Sequence, residues 1–196
     1  MRIPMPAAVL AGGGSRRMGR EKGGLPYGAG TLAEFQTSRL AEIFEDVWLV
    51  AKRRPDFSIG PARLLLDGTD EQAAIYGLRR ALEEAKDRVF VLAVDLPVLT
   101  RSVILTVAAR GAGSEAPVVL ARAQGRLQPL AAVWRRRALP ELERRIGLGE
   151  LSLLELAEEL GAETLPEHEW RALDPSGNSF LNVNTLEEYR QLAERG

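Results

Sequence analysis

The chain has 196 residues, 45% hydrophobic and 27% charged, a balance that fits one soluble globular domain spanning residues 1–196. It has no cysteine and a single histidine, His168, which excludes disulfides, Fe–S clusters, thiolate metal sites, cysteine nucleophiles and a multi-histidine zinc site. A net charge of −1 gives no overall field that would attract nucleic acid, no apolar window approaches the roughly 18 residues of a membrane span, and prolines and glycines interrupt the first apolar run; the expectation is a cytoplasmic protein without nucleic-acid or membrane partners.

The first apolar run, residues 7–10, reads as a buried strand and opens into AGGGSRRMGREKGGL, residues 11–25. Residues 11–30 carry no helix or strand pattern, and a structureless connection of that length in a compact domain is usually functional. Residues 31–44 begin TLAE, a capping-box pattern, and keep apolar residues at Leu32, Phe35, Leu40 and Ile43, which predicts a helix. Short strands follow at 47–50 and 64–66, then a helix at about 71–86 and the most apolar strand, 89–94. A helix is predicted over 100–110, strands over 118–121 and 130–134, and further helices from Ser152 (SLLE) and Thr185 (TLEE). The basic clusters RRP at 53–55 and RRR at 135–137 read as solvated surface or strand ends, and Trp48, Trp134 and Trp170 as packing residues.

This alternation predicts an α/β fold, a Rossmann-like three-layer sandwich with a mostly parallel sheet and helices on both faces. In such sheets ligands sit beyond the carboxyl ends of the strands. Three loops are placed there, after Leu10, after Leu66 and after Val94, carrying respectively the glycine and cation cluster, Asp67 and Asp95.

Gly12, Gly13 and Gly14 let the backbone turn tightly and bring its N–H groups close to a ligand, an arrangement suited to phosphate. Two common phosphate motifs fail. Gly14 and Gly19 have the spacing of a P-loop but are followed by Arg20 and Glu21, and the dinucleotide fingerprint would need a small residue where Arg17 stands. Asp95, leaving a buried strand, is expensive unless compensated; a divalent cation would compensate it, since Asp is a hard oxygen ligand suited to Mg²⁺. The alternatives are a cap on the helix near Thr100 or an ion pair with an Arg. Asp67 stands in DGTD, which also reads as a simple turn. Asn182 and Asn184 alternate with Val183, so both amides face one side of an extended segment, although a capping role before the helix at Thr185 would serve equally well.

The run Leu10, Ala11, Gly12, Gly13, Ser15, Arg17, Met18, Gly19 and Lys22 resembles the loop of nucleotidyltransferases, and more narrowly LAGGxSxRMGxDK of the molybdenum cofactor guanylyltransferases. Glu21 departs from that pattern, standing where the family usually has Asp. GRLQPLAAVW, residues 125–134, and FLNVNT, residues 180–185, resemble the same family, so the resemblance covers nearly the whole chain. It implies transfer of GMP from GTP to the terminal phosphate of molybdenum-loaded molybdopterin, with release of pyrophosphate and Mg²⁺ as cofactor. It further implies Leu10, Ala11, Gly12, Gly13, Gly14 and Lys22 around the nucleotide, Arg17 and Lys22 neutralising the leaving pyrophosphate, and Asp95 at the metal. Asp67 would help read guanine, and Asn182 and Asn184 would contact the pterin. Transient contacts with other proteins of cofactor biosynthesis or with acceptor proteins are also expected. Two departures bear on specificity: EQAAIYGL, residues 71–78, replaces a Gly-Pro-containing segment, and Val50, Ala51 and Lys52 stand where many members have an Asn. Cytidylyl transfer to the same cofactor, sugar-phosphate nucleotidyl transfer and a non-catalytic nucleotide-binding homologue are the alternative readings.

Overall fold

Strand β1 (Ile3–Leu10) leads to a 3₁₀ turn (Lys22–Gly24), a small hairpin of β2 (Pro26–Tyr27) and β3 (Gly30–Thr31), helix α1 (Leu32–Ala41) and strand β4 (Phe44–Ala51). Then come β5 (Arg63–Leu66), α2 (Ala74–Glu84), β6 (Arg88–Ala93), α3 (Arg101–Gly113), β7 (Val118–Ala123) and β8 (Arg126–Arg135). The remaining elements are a 3₁₀ turn (Arg136–Ala138), α4 (Leu139–Leu148), α5 (Leu153–Glu159), β9 (Glu163–Leu165) and α6 (Glu167–Arg171). The structure is a computed structural model and describes residues 2–11 and 21–181.

Among the described residues the main sheet has seven strands in the order β5-β4-β1-β6-β8-β7-β9. The β5/β4, β4/β1, β1/β6 and β7/β9 pairs are parallel, while β8 runs antiparallel to both β6 and β7. Two apolar layers cover it. Leu32, Leu40, Val103, Ile104 and Val107 of α1 and α3 pack on one face, and Ile75, Leu78, Leu82, Leu142 and Leu156 of α2, α4 and α5 on the other. This is the three-layer α/β arrangement expected from the sequence.

The local chemistry explains the boundaries. Thr31 caps α1, its hydroxyl accepting the Glu34 N–H, and Thr100 and Ser152 cap α3 and α5 in the same way. Helix α1 stops at Ala41 rather than continuing to residue 44, because Phe44 already belongs to β4 and stacks on Phe90 with ring centres 5.1 Å apart. Helix α2 begins at Ala74 rather than 71: the Glu71 N–H is taken by the Thr69 hydroxyl, and the backbone is still extended at Ala73. Residues 21–31 are ordered, with a 3₁₀ turn and a hairpin where no regular structure was expected. Helices α4 and α6 and strand β9 were also not anticipated. Trp48, Trp134 and Trp170 are buried, as expected.

The parallel strands align the loaded loops. Leu10 pairs in register with Val50 on one side and Ala93 on the other, and Ala51 pairs with Leu66. The ladder runs out in three last bonds: Ala11 N–H to Val50 C=O at 2.9 Å, Val94 N–H to Leu10 C=O at 3.1 Å and Asp67 N–H to Ala51 C=O at 3.0 Å. Beyond them lie Lys52, Asp67 and Asp95.

Candidate functional site

Lys22 opens the first 3₁₀ turn. Gly23 and Gly24 lie against the Phe57 ring, and a Cβ on Gly24 would come within 2.7 Å of it. Bare backbone is therefore a packing requirement at this point, and it seats the turn that carries Lys22. The Lys22 ammonium lies 2.7 Å from Asp95 Oδ2, in a pair whose side chains are 15% and 21% exposed. Thr100 caps α3 with its own hydroxyl, so Asp95 is not needed as that cap, and among the described residues the carboxylate's cationic partner is Lys22 rather than an Arg.

The chain on either side of Asp95 is held from α1. Gln36 Nε2 donates to Val94 C=O at 3.0 Å, and the Arg39 guanidinium donates to the carbonyls of Leu96, Pro97 and Leu99 at 3.0, 3.1 and 2.7 Å. Burial lowers the Arg39 pKa to about 10, partly offset by Tyr27, so the side chain stays cationic at neutral pH. From the far side, the Thr100 N–H donates to Ser179 Oγ at 3.2 Å, and the Ser179 N–H donates to Asp174 Oδ2 at 2.7 Å. Burial by itself would raise the Asp174 carboxyl, but hydrogen bonds from the Ser176 and Ser179 side chains and the Ser179 and Gly177 backbone hold it below the ordinary aspartate range. The turn that Asp174 organises thus fixes the segment leading to residue 181 against the Asp95 loop.

A second corner forms at the ends of β4 and β5. Asp67 is almost fully buried; its Oδ1 accepts the Thr69 N–H at 3.2 Å and its Oδ2 lies 3.5 Å from the Lys52 ammonium. Lys52 also donates to the Glu71 carbonyl and sits 6.0 Å from the centre of the Tyr76 ring, which Arg79 approaches at 5.6 Å. The turn expected from DGTD is present, and the carboxylate is ion-paired as well. Gly77 on α2 faces Leu10 at the end of β1, where an added Cβ would meet the leucine side chain at 3.5 Å.

The sequence-predicted residues Leu10, Ala11, Lys22, Asp67 and Asp95 thus gather along one edge of the sheet. Gly12, Gly13, Gly14, Arg17, Asn182 and Asn184 lie outside the described residues. Gln36, Arg39, Lys52 and Asp174 were not singled out from sequence. A signal existed for the first, because Gln36 interrupts the apolar stripe of α1 and is nonetheless fully buried. Lys52 was visible only as part of a departure from the family pattern. Among the described residues no three His, Cys, Asp or Glu side chains cluster closely enough to hold a metal ion by themselves. Asp95 nevertheless suits Mg²⁺, which typically binds through one or two carboxylates together with substrate phosphates.

A family model described as the MobA-like NTP transferase domain matches residues 7–191. A probable molybdenum cofactor guanylyltransferase from Aquifex aeolicus is 31% identical over 185 residues, covering 94% of this chain and 88% of that protein. The molybdenum cofactor guanylyltransferase of Desulfosudis oleivorans is 31% identical over 182 residues, covering 92% and 90%. Among solved structures, molybdopterin-guanine dinucleotide biosynthesis protein A from Archaeoglobus fulgidus superposes with a TM-score of 0.82 at 24% identity, covering 97% of this chain and 98% of that one. The fold is shared more widely: 2-C-methyl-D-erythritol 4-phosphate cytidylyltransferase from Thermus thermophilus superposes with a TM-score of 0.65 at 18% identity, covering 100% and 98%.

Proposed function

This chain belongs to the MobA-like NTP transferase family, and from that premise we propose that it transfers GMP from GTP to the terminal phosphate of molybdenum-loaded molybdopterin. An oxygen of that phosphate forms a bond to the α-phosphorus of GTP while the bond from the α-phosphorus to the bridging oxygen of the β-phosphate breaks. The products are the guanine dinucleotide form of the cofactor and pyrophosphate. The observation that carries this reading is the Lys22–Asp95 pair, at the carboxyl edge of the parallel strands, in a chain whose relatives at 31% identity are named molybdenum cofactor guanylyltransferases.

A phosphate monoester is largely dianionic near neutral pH and already a competent nucleophile, so no histidine or serine base is needed. Catalysis then rests on positioning and on stabilising charge. Lys22 offers its ammonium to the negative charge that develops on the departing pyrophosphate, a role shared in this proposal with Arg17, while the N–H groups of residues 12–14 cradle the phosphates. Asp95 would hold Mg²⁺, which when bound supplies Lewis-acid neutralisation of the phosphate oxygens. Lys22 and Asp95 compensate one another in the protein, so each is preplaced for a ligand of opposite charge without leaving a buried group unpaired. Asn182 and Asn184 are assigned to the pterin side, and Asp67 to guanine, whose N1–H and N2–H₂ donors match a carboxylate where adenine would not.

Pyrophosphate release on mixing protein, GTP, Mg²⁺ and molybdenum-loaded molybdopterin tests the assignment, with CTP and ATP as competitors. GTP-dependent turnover is expected. Lys22→Ala and Asp95→Ala should each reduce it by about 10²–10³-fold, the scale of losing one charge-stabilising group. Near-normal turnover in either variant, or a preference for CTP, would sink the proposal.

A further inference from the structure

Helix α1 carries two polar side chains whose placement the proposed chemistry leaves unexplained. Gln36 is completely buried, and its Oε1 has no hydrogen-bond partner among the described residues. An amide in that position costs stability, yet its Nε2 is directed at the carbonyl of Val94, the residue before Asp95. Three residues further along, Arg39 spends its guanidinium on the carbonyls of Leu96, Pro97 and Leu99 instead of on a carboxylate, with its guanidinium carbon 5.2 Å from the centre of the Phe35 ring. Together the two side chains hold four carbonyls that bracket Asp95. An apolar pair would fill the same space without desolvating a cation, so the polar pair points to a demand on geometry.

The same helix is tied to Lys22. Leu32, its first residue, donates to Leu25 C=O at 2.8 Å, closing the β2–β3 hairpin, and Tyr27 packs on Phe35 with ring centres 4.4 Å apart. Helix α1 therefore carries the Lys22 turn at its start and grips the Asp95 loop one and two turns later. We infer that Gln36 and Arg39 are positioning residues, which set the Asp95 carboxylate against Lys22 and against the metal–nucleotide site. This rests on the nucleotidyl-transfer reading above for its catalytic consequence.

The test compares Arg39→Met, Arg39→Lys and Gln36→Met with Leu142→Ala, a core truncation on the opposite face of the sheet. Two readouts are taken: kcat and the GTP KM from pyrophosphate release, and Mn²⁺ affinity by EPR in the presence of GTP without acceptor. Arg39→Met should lower kcat by about 10–100-fold, the cost of a misplacement on the order of 1 Å, and weaken Mn²⁺ binding by about tenfold, with the GTP KM shifting less than about threefold. Arg39→Lys should fall between, because an ammonium cannot reproduce a planar fork across three carbonyls. Gln36→Met should change both readouts in the same direction by less. Leu142→Ala should lower Tm and leave kcat and Mn²⁺ affinity unchanged. Arg39 and Gln36 variants that behave like Leu142→Ala overturn the inference, and if Arg39→Met fails to fold, Arg39→Lys and Gln36→Met decide. Wild-type protein that releases no pyrophosphate refutes the proposed reaction, while its Mn²⁺ affinity still decides the positioning role.

Discussion

At the scale of single residues, Asp67 and Asp174 show two ways of keeping a carboxylate inside the protein. Asp67 is covered and held by Lys52 and by the Thr69 N–H, so the base-reading role proposed for it competes with partners it already has. Asp67→Asn is expected to reduce discrimination of GTP over ATP by about tenfold in competition assays, since one amide cannot accept both guanine donors. Unchanged discrimination would confine Asp67 to shaping the turn. Asp174 makes a prediction about pH. Its folded-state pKa is depressed, so its contribution is present above the unfolded value, about 3.9, and is lost as pH falls through the folded one. Urea unfolding should find Asp174→Asn less stable than wild type by about 1–2 kcal/mol at pH 7, with the gap closing towards pH 2. A gap independent of pH would show that shape, not charge, is what the residue supplies. Asp95 and Lys22 were legible in sequence because strand ends and a motif point to them, and Gln36 left a break in an apolar stripe; Arg39 was not legible, because its partners are carbonyls, which leave no trace in side-chain composition.

At the scale of elements, capping boxes placed the starts of α1 and α5, and a threonine cap alone that of α3; in each a threonine or serine hydroxyl meets a backbone N–H three residues on. Boundaries decided by tertiary packing were less visible. Phe44 leaves the helical pattern for the sheet, and β9 is a short strand whose edge position depends on pairing with β7. Helix α3 adds a requirement of close approach: a Cβ at Gly111 would lie 2.4 Å from Val133 Cβ on β8. Gly111→Ala should therefore destabilise the protein by about 1–3 kcal/mol despite alanine's better helix propensity. The matched change Gly147→Ala in α4 meets nothing within 4 Å. It should gain about 0.5–1 kcal/mol. Thermal unfolding of the two variants checks both signs, and a stabilised Gly111→Ala would show that α3 can lift from the sheet at little cost.

At the scale of the whole molecule, the α/β layering was legible because buried parallel strands read as continuous apolar runs separated by amphipathic helices. The reversal at β8 was not, since an apolar strand reads the same in either direction. That reversal matters most while the chain is still being made. Strands β5, β4, β1 and β6 are all encoded by residue 93, and with them the edge that carries Lys22 and Asp67, but β6 then has a neighbour on one side only. Its partner on the other side, β8, is not complete until residue 135 and must be turned back through the hairpin at Gln124 and Gly125. Until then the Val89–Leu92 stretch presents unpaired amides and carbonyls on an apolar strand, the edge that natural sheets normally guard. A nascent or prematurely terminated chain ending between those points leaves that edge open, and it is the arrival of β8 that covers it.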